Sequence, residues 1–153
     1  MCGYWGDPDK TAQSIDLARW MHTGDLAAMD EDGYCRIVGR LKDMVIRDGK
    51  IIFQGKIEEV LIHHPGIEAV QVIGVPDVIH DEELCAWVKP KASFCATAEE
   101  IQAFCHGQIA SYKIPRYIRF VHGFPMTMTG KVKKFVMREE MMKELRFSDN
   151  TAP

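Results

Sequence analysis

The sequence predicts an α+β fold: a small three-stranded sheet covered by helices, with a leading two-stranded hairpin, all preceded by a short helix and a further β-hairpin. Three observations carry this expectation. From residue 67 onward the order strand, strand, helix, strand, helix lays helices over a small sheet. Two turn signals, Asp30-Glu31-Asp32-Gly33 and Asp48-Gly49, each join apolar strand-like runs as hairpins. Finally, 153 residues with 46% hydrophobic and 27% charged side chains suit one globular domain, or one domain with an attached piece of another.

Taken in order, Asp7 before Pro8 starts a helix running to about residue 15, the carboxylate capping free amides and proline fitting the first helical position. Residues 20–29 and 34–38 are the strands of the first hairpin. A lone hairpin is marginal in water, so residues 1–39 need a partner for their apolar faces. Residues 43–47 and 51–53 form the second hairpin around Asp48-Gly49. Ile57, Val60 and Leu61 recur at helical spacing and place a helix over 55–63, stopped by Pro65-Gly66, with His63-His64 as its end rather than a metal site. Residues 67–75 and 82–90 are strand-like. Thr97 with Glu100 three residues later is a capping box for a helix to about residue 109. A third strand covers 117–121, and a last helix covers 133–145, with Phe135, Met142 and Leu145 on the face turned inward. Residues 146–153 read as a frayed tail.

A net charge of -3 and a pI near 6.1 give no general attraction to nucleic acid or to an anionic membrane, so any phosphate binding is expected to be local. The five cysteines, Cys2, Cys35, Cys85, Cys95 and Cys105, are odd in number and lack a close Cys-x-x-Cys pair; reduced thiols are expected, and no zinc-type spacing is present. No run of eighteen apolar residues and no signal-like N-terminus occur, so an intracellular, cytoplasmic protein without a membrane span is expected.

The most informative stretch is Met126-Thr127-Met128-Thr129-Gly130-Lys131-Val132-Lys133-Lys134, where one lysine follows a glycine behind two threonines. Such a tip delivers a compact charge on a long stem to a phosphate or carboxylate, and the glycine lets the backbone approach a ligand closely. Read alone, the motif is weak, because Gly-Lys in a surface loop is most often only a turn with a solvated charge. A second constellation lies upstream: His22-Thr23-Gly24-Asp25-Leu26, Asp30-Glu31-Asp32-Gly33-Tyr34 and Val38-Gly39-Arg40-Leu41-Lys42-Asp43. Asp25, where a strand emerges, can accept both hydroxyls of a ribose, or can cap a turn. Arg40 can be a surface charge and Lys42 a hairpin lysine.

In order and spacing these segments resemble the closing part of an adenylate-forming enzyme, in particular an acyl-CoA synthetase of the fatty-acid type. The resemblance runs from Gly3-Tyr4-Trp5 through Tyr112-Lys113-Ile114-Pro115 to the glycine-lysine tip. It implies that residues 1–39 are a remnant of the large N-terminal domain, 40–42 a hinge, 43–147 the C-terminal lid, and 148–153 a tail. It further implies that Asp25 and Arg40 hold the ribose and phosphate of ATP or of the acyl-adenylate, that Lys42 is the hinge, and that Lys131 reaches the active site during adenylation. ATP, CoA and Mg are cofactors of the full-length family; none is expected to bind tightly to this chain alone, and no metal ligand is expected in it.

Between hinge and first core helix the chain departs from the family pattern. Arg47-Asp48-Gly49-Lys50-Ile51-Ile52-Phe53-Gln54-Gly55-Lys56 carries Asp48 for a glycine, Lys50-Ile51 for Glu-Asn, Gln54 for proline and Lys56 for Glu; Asp81 replaces another glycine. In the family this loop lines the pantetheine tunnel, which makes Gly49 a CoA-facing residue and puts Asp48 where it obstructs the tunnel or repels CoA phosphates. Nothing resembles the family's Ser/Thr/Gly-rich phosphate loop, so the chain is expected to be inactive without the large domain, its partner. The alternative is a non-catalytic lid-like module that binds another synthetase chain or itself. A dimer through residues 1–39, or a partly disordered N-terminus, is expected.

Overall fold

The structure, a computed structural model, describes residues 1–92 and 96–149; Cys95 and the end of the expected tail lie outside them. The chain divides into two compact units, Met1–Lys42 and Asp43 onward.

In the first unit, α1 (Pro8–Ser14) is capped as expected: Asp7 accepts the Lys10 N–H at 2.9 Å and proline occupies the first turn. Strands β1 (Asp25–Met29) and β2 (Cys35–Arg40) pair antiparallel. Their turn is held by Asp30 Oδ1, which accepts from Asp32 and Tyr34, and by Gly33 at φ +87. The strand expected from Trp20 starts only at Asp25. Asp16 takes the Trp20 N–H at 2.8 Å and Arg19 turns to φ +70, so the chain bends where the pattern suggested extension. No residue of this unit is buried.

The second unit contains β3 (Met44–Arg47), β4 (Lys50–Phe53), α2 (Gln54–Leu61), β5 (Ile67–Asp77), β6 (Asp81–Pro90), α3 (Ala98–Cys105), β7 (Tyr117–Phe120) and α4 (Lys134–Asp149). The three expected strands are β5 and β6, antiparallel, and β7, parallel to β6 along Cys85–Val88. The hairpin β3–β4 does not stand apart, however: Arg47 pairs with Asp81, and the sheet becomes five-stranded. The joint is made by acidic side chains of β6, with Glu82 Oε2 accepting the Ile46 N–H at 3.0 Å and Glu83 facing Arg47.

Period-two alternation on β5 and β6 feeds two cores. Val70, Val72, Leu84, Ala86 and Val88 pack with Ile57 and Leu61 of α2 and Ile101 and Cys105 of α3. Ile73, Val75, Cys85 and Trp87 pack with Met137 and Met141 of α4. A sheet buried on both faces lies between helices, an α+β layer arrangement.

Three expected boundaries move. α3 keeps its capping box but ends at Cys105, because His106 is extended and Gly107 takes φ +80. In α4 the inward face is Met137 and Met141, four apart; Phe135 is 64% exposed, and of the expected inward set Leu145 packs against the core while Met142 is half-buried. α4 also continues to Asp149, past the expected end at residue 145. α2 stops at Leu61, and His64 folds in behind it, accepting the Gly66 N–H at 3.1 Å and standing edge-on to Phe104.

Candidate functional site

The hairpin β1–β2 places Asp25 opposite Arg40. Arg40 Nε donates to Asp25 Oδ1 at 2.7 Å, and the Asp25 N–H donates to Thr23 Oγ1 at 3.1 Å, with Gly24 at φ +75 turning the chain into the strand. Two residues expected from sequence to share one ligand thus share one ion pair. The other Asp25 oxygen and the Arg40 Nη groups make no further contact among the described residues. A carboxylate oxygen beside free guanidinium donors suits a vicinal diol next to a phosphate. Lys42 is exposed, in a 3-10 turn over Leu41–Asp43, and is the last residue of the first unit.

Lys131 sits on a tight loop closed from both sides. Met126 bridges to Val132; the Thr127 N–H donates to the Lys131 carbonyl at 2.8 Å; the Lys131 N–H donates back to Thr127 Oγ1 at 3.0 Å; the Lys133 N–H reaches the Pro125 carbonyl at 2.8 Å. Gly130 turns the tip at φ +76, a left-handed position that glycine occupies without steric cost. Val132, the next residue but one, packs into the α4 core. The Lys131 side chain is exposed, and its ammonium has no partner among the described residues. Its backbone is fixed and its charge is available, which is the arrangement electrostatic catalysis requires.

Gly49 lies in the two-residue β3–β4 turn, where Asp48 has φ +50 and Gly49 φ +69, the geometry of a type I′ hairpin. Asp81 is also left-handed, at φ +63. Both departures from the expected glycines therefore fall where the backbone is left-handed, and aspartate tolerates that conformation better than most residues. The Asp48 carboxylate is engaged by His80 Nδ1 at 2.7 Å, and the Asp48 N–H approaches the His80 carbonyl at 3.4 Å. Behind His80 lies Glu83, fully buried, with Arg47 at 2.8 Å, Arg116 at 3.8 Å and His80 Nε2 at 4.0 Å. Arg47 also donates to the Tyr112 carbonyl at 3.0 Å, and Lys50 stands over the Tyr112 ring at 4.5 Å. Sequence reasoning missed this cluster because its members come from three separate segments, residues 47–50, 80–83 and 112–116. The pairing of a positive-φ Asp with a His across two turns left only the unusual Asp48 and Asp81 as signals.

Among the described residues no group of three or more His, Cys, Asp or Glu is placed to hold a metal ion, and no helix is long and apolar enough to cross a membrane.

The chain belongs to the family of AMP-binding, adenylate-forming enzymes. It corresponds to the C-terminal portion of an acyl-CoA synthetase: residues 56–131 match the AMP-binding enzyme C-terminal domain. It is 49% identical over 146 residues to the mouse medium-chain acyl-CoA ligase ACSF2, a mitochondrial protein, covering 95% of this chain and 24% of the relative. It is 48% identical over 150 residues to the putative acyl-CoA synthetase YngI of Bacillus subtilis, covering 98% of this chain and 27% of that one. Among solved structures, ATP-bound MatB from Rhodopseudomonas palustris superposes with a TM-score of 0.85 at 34% identity, over 92% of this chain and 28% of that one. The chain thus spans about a quarter of the length of the relatives it matches.

One expectation is overturned. The ACSF2 relatives from mouse, human and zebrafish are mitochondrial, so the cytoplasmic placement does not stand.

Proposed function

We propose that this chain is the mobile lid of an ATP-dependent acyl-CoA synthetase, supplying Lys131 to the adenylation step. The observation that carries the reading is the doubly tied loop with an unpartnered lysine at its tip. In adenylation a carboxylate attacks the α-phosphate of ATP and negative charge builds on the phosphoryl oxygens. An ammonium held at that point stabilises the charge without reorganisation at the moment of reaction. Asp25 and Arg40 hold the ribose and the neighbouring phosphate, and Lys42 is the hinge whose backbone angles change as the lid turns. The working division is residues 1–39 with the large domain, 40–42 as hinge and 43–147 as lid. In the turned state Gly49 faces the pantetheine of CoA. The Asp48–His80 pair supports an open passage there, since it draws the carboxylate onto the protein. The relatives favour a medium-chain acid as substrate and the mitochondrion as location. Phosphate loop, acid pocket and Mg²⁺ site belong to the large domain, so turnover requires it.

The test is complementation. A medium-chain synthetase truncated at the junction that matches Lys42 is mixed with this chain, and acid-dependent pyrophosphate release is followed. Restored release that vanishes with Lys131→Ala is expected. A complex that forms without restored release refutes the reading and leaves a non-catalytic module.

The exposed apolar residues of the first unit, among them Trp5, Leu17, Trp20, Tyr34 and Ile37, support a second proposal: without the large domain, residues 1–39 pair with those of a second copy. Light scattering that gives a monomer at all concentrations contradicts it.

A further inference from the structure

Lys134, three residues beyond Lys131, opens α4 and is the opposite of its neighbour in every respect. Its ammonium donates to Gln54 Oε1 at 2.7 Å, Glu58 Oε1 at 2.8 Å and the Val72 carbonyl at 3.1 Å, which uses all three N–H bonds. The Lys134 and Glu58 side chains are 24% and 21% exposed, and Gln54 is buried. Glu58 Oε1 also accepts the Val72 N–H at 2.7 Å, so a single carboxylate oxygen ties α2 to β5 while the lysine ties α4 to both.

The clasp sits at the root of the Lys131 loop. One leg of the loop leaves Pro125 and the other re-enters at Lys133, where the Lys133 N–H meets the Pro125 carbonyl. Beyond the clasp, Met137 and Met141 lock α4 into the core, and Arg138 pairs with Glu82 at 2.8 Å. The hydrogen bonds inside the loop set its shape. Its direction relative to the sheet is set where α4 begins. Surface ion pairs do little of this work, whereas a mostly buried, fully coordinated ammonium holds a definite geometry.

We propose that Lys134 is the positioning residue for Lys131, fixing the direction in which the loop presents its ammonium. The proposal rests on the reading of Lys131 as the electrostatic catalyst of adenylation. Lys134→Met keeps the stem and removes the donors. Lys134→Arg keeps the charge but replaces three donors radiating from one point with a planar fork that does not match the three acceptors. A displacement of about 1 Å at a reacting group costs on the order of a hundredfold in rate, so a partial loss of direction is expected to cost about tenfold or more.

Two measurements test it. Amide exchange by NMR on the whole chain reads position directly: in Lys134→Met the N–H groups of Thr127, Gly130, Lys131 and Lys133 are expected to exchange about tenfold or more faster, with β5 and β6 unchanged. Unchanged loop protection overturns the proposal; if the sheet also loses protection in Lys134→Met, the same comparison is decided with Lys134→Arg. In the complemented enzyme, Lys134→Met is expected to lower kcat for adenylation about tenfold or more at unchanged KM for ATP, and to add nothing to Lys131→Ala. Additive losses overturn it. Should Lys131→Ala be without effect while the loop amides respond as expected, the Lys131 reading fails and the positional role of Lys134 stands.

Discussion

Replacing Arg47 by methionine isolates the most buried charge among the described residues. Glu83 is fully buried, and Arg47, with 17% of its side chain exposed, stands 2.8 Å from its Oε1. At that distance and an effective dielectric of about 20, the pair attraction is about 6 kcal/mol, set against several kcal/mol of desolvation for each ion. The variant also strips the Tyr112 carbonyl of a donor, a loss of about 1 kcal/mol. Arg116 remains at 3.8 Å but is half exposed, so it compensates only in part. Breaking a buried pair costs about 3–5 kcal/mol, and the residual Arg116 contact places this case near the lower end, about 3 kcal/mol. Urea unfolding followed by far-UV circular dichroism measures it. The double variant Arg47→Met with Glu83→Leu, which removes both charges, is expected to recover about 2 kcal/mol of that loss. A loss under about 1 kcal/mol for Arg47→Met, or strictly additive effects in the cycle, refutes the view of Glu83 as a charge held by its partners.

Three further outcomes are expected. Gly74→Ala puts a Cβ 2.9 Å from Val45 Cγ2 in the interior of β5 and should destabilise by about 1–3 kcal/mol in thermal unfolding; a neutral result would mean that Val45 gives way. Burial pushes the Cys85 thiol up to about 12, so in the native protein iodoacetamide at neutral pH should label exposed Cys2 and Cys35 and spare Cys85, as read by peptide mass spectrometry. The N–H groups of Ile79 and His80 hold the Asp77 carboxyl below its ordinary value near 3.8, with Arg116 adding to them. A depressed folded pKa gives stability that is present above the unfolded value and lost as pH falls through the folded one; Asp77→Asn should therefore flatten the stability profile below about pH 4 and leave its slope at neutral pH unchanged.

Local chemistry was readable from sequence and long-range chemistry was not. The Asp7 cap, the Thr97–Glu100 box, the Asp48-Gly49 turn and the Gly130 tip each depend on residues within four positions, and each stands where the pattern put it. The inward face of α4 was read correctly at Leu145 and misread at Phe135 and Met142, because Phe135, Val136, Met137, Met141 and Met142 offer two apolar phases, and only contact with Trp87 and Cys85 selects Met137 and Met141. Asp25 and Arg40 were singled out only through the family resemblance, and their ion pair was not legible because the expected second strand ended at residue 38, short of the register that sets Arg40 opposite Asp25. Nor was the Lys134 clasp, since its acceptors lie 62 to 80 residues away and nothing in Lys133-Lys134 distinguishes a solvated lysine from a buried one. The same holds for His80, whose role exists only because two turns meet.

On the proposed reading Lys131 serves one half of a two-step reaction. The measurement that bears on it most directly compares the two halves in the complemented enzyme, with and without Lys131→Ala: acid-dependent exchange of pyrophosphate into ATP, and thioester formation from a supplied acyl-adenylate and CoA. The exchange is expected to fall by about a hundredfold or more while thioester formation stays within about twofold of the unmodified chain. Equal losses in both halves, or no loss in the exchange, would contradict the account.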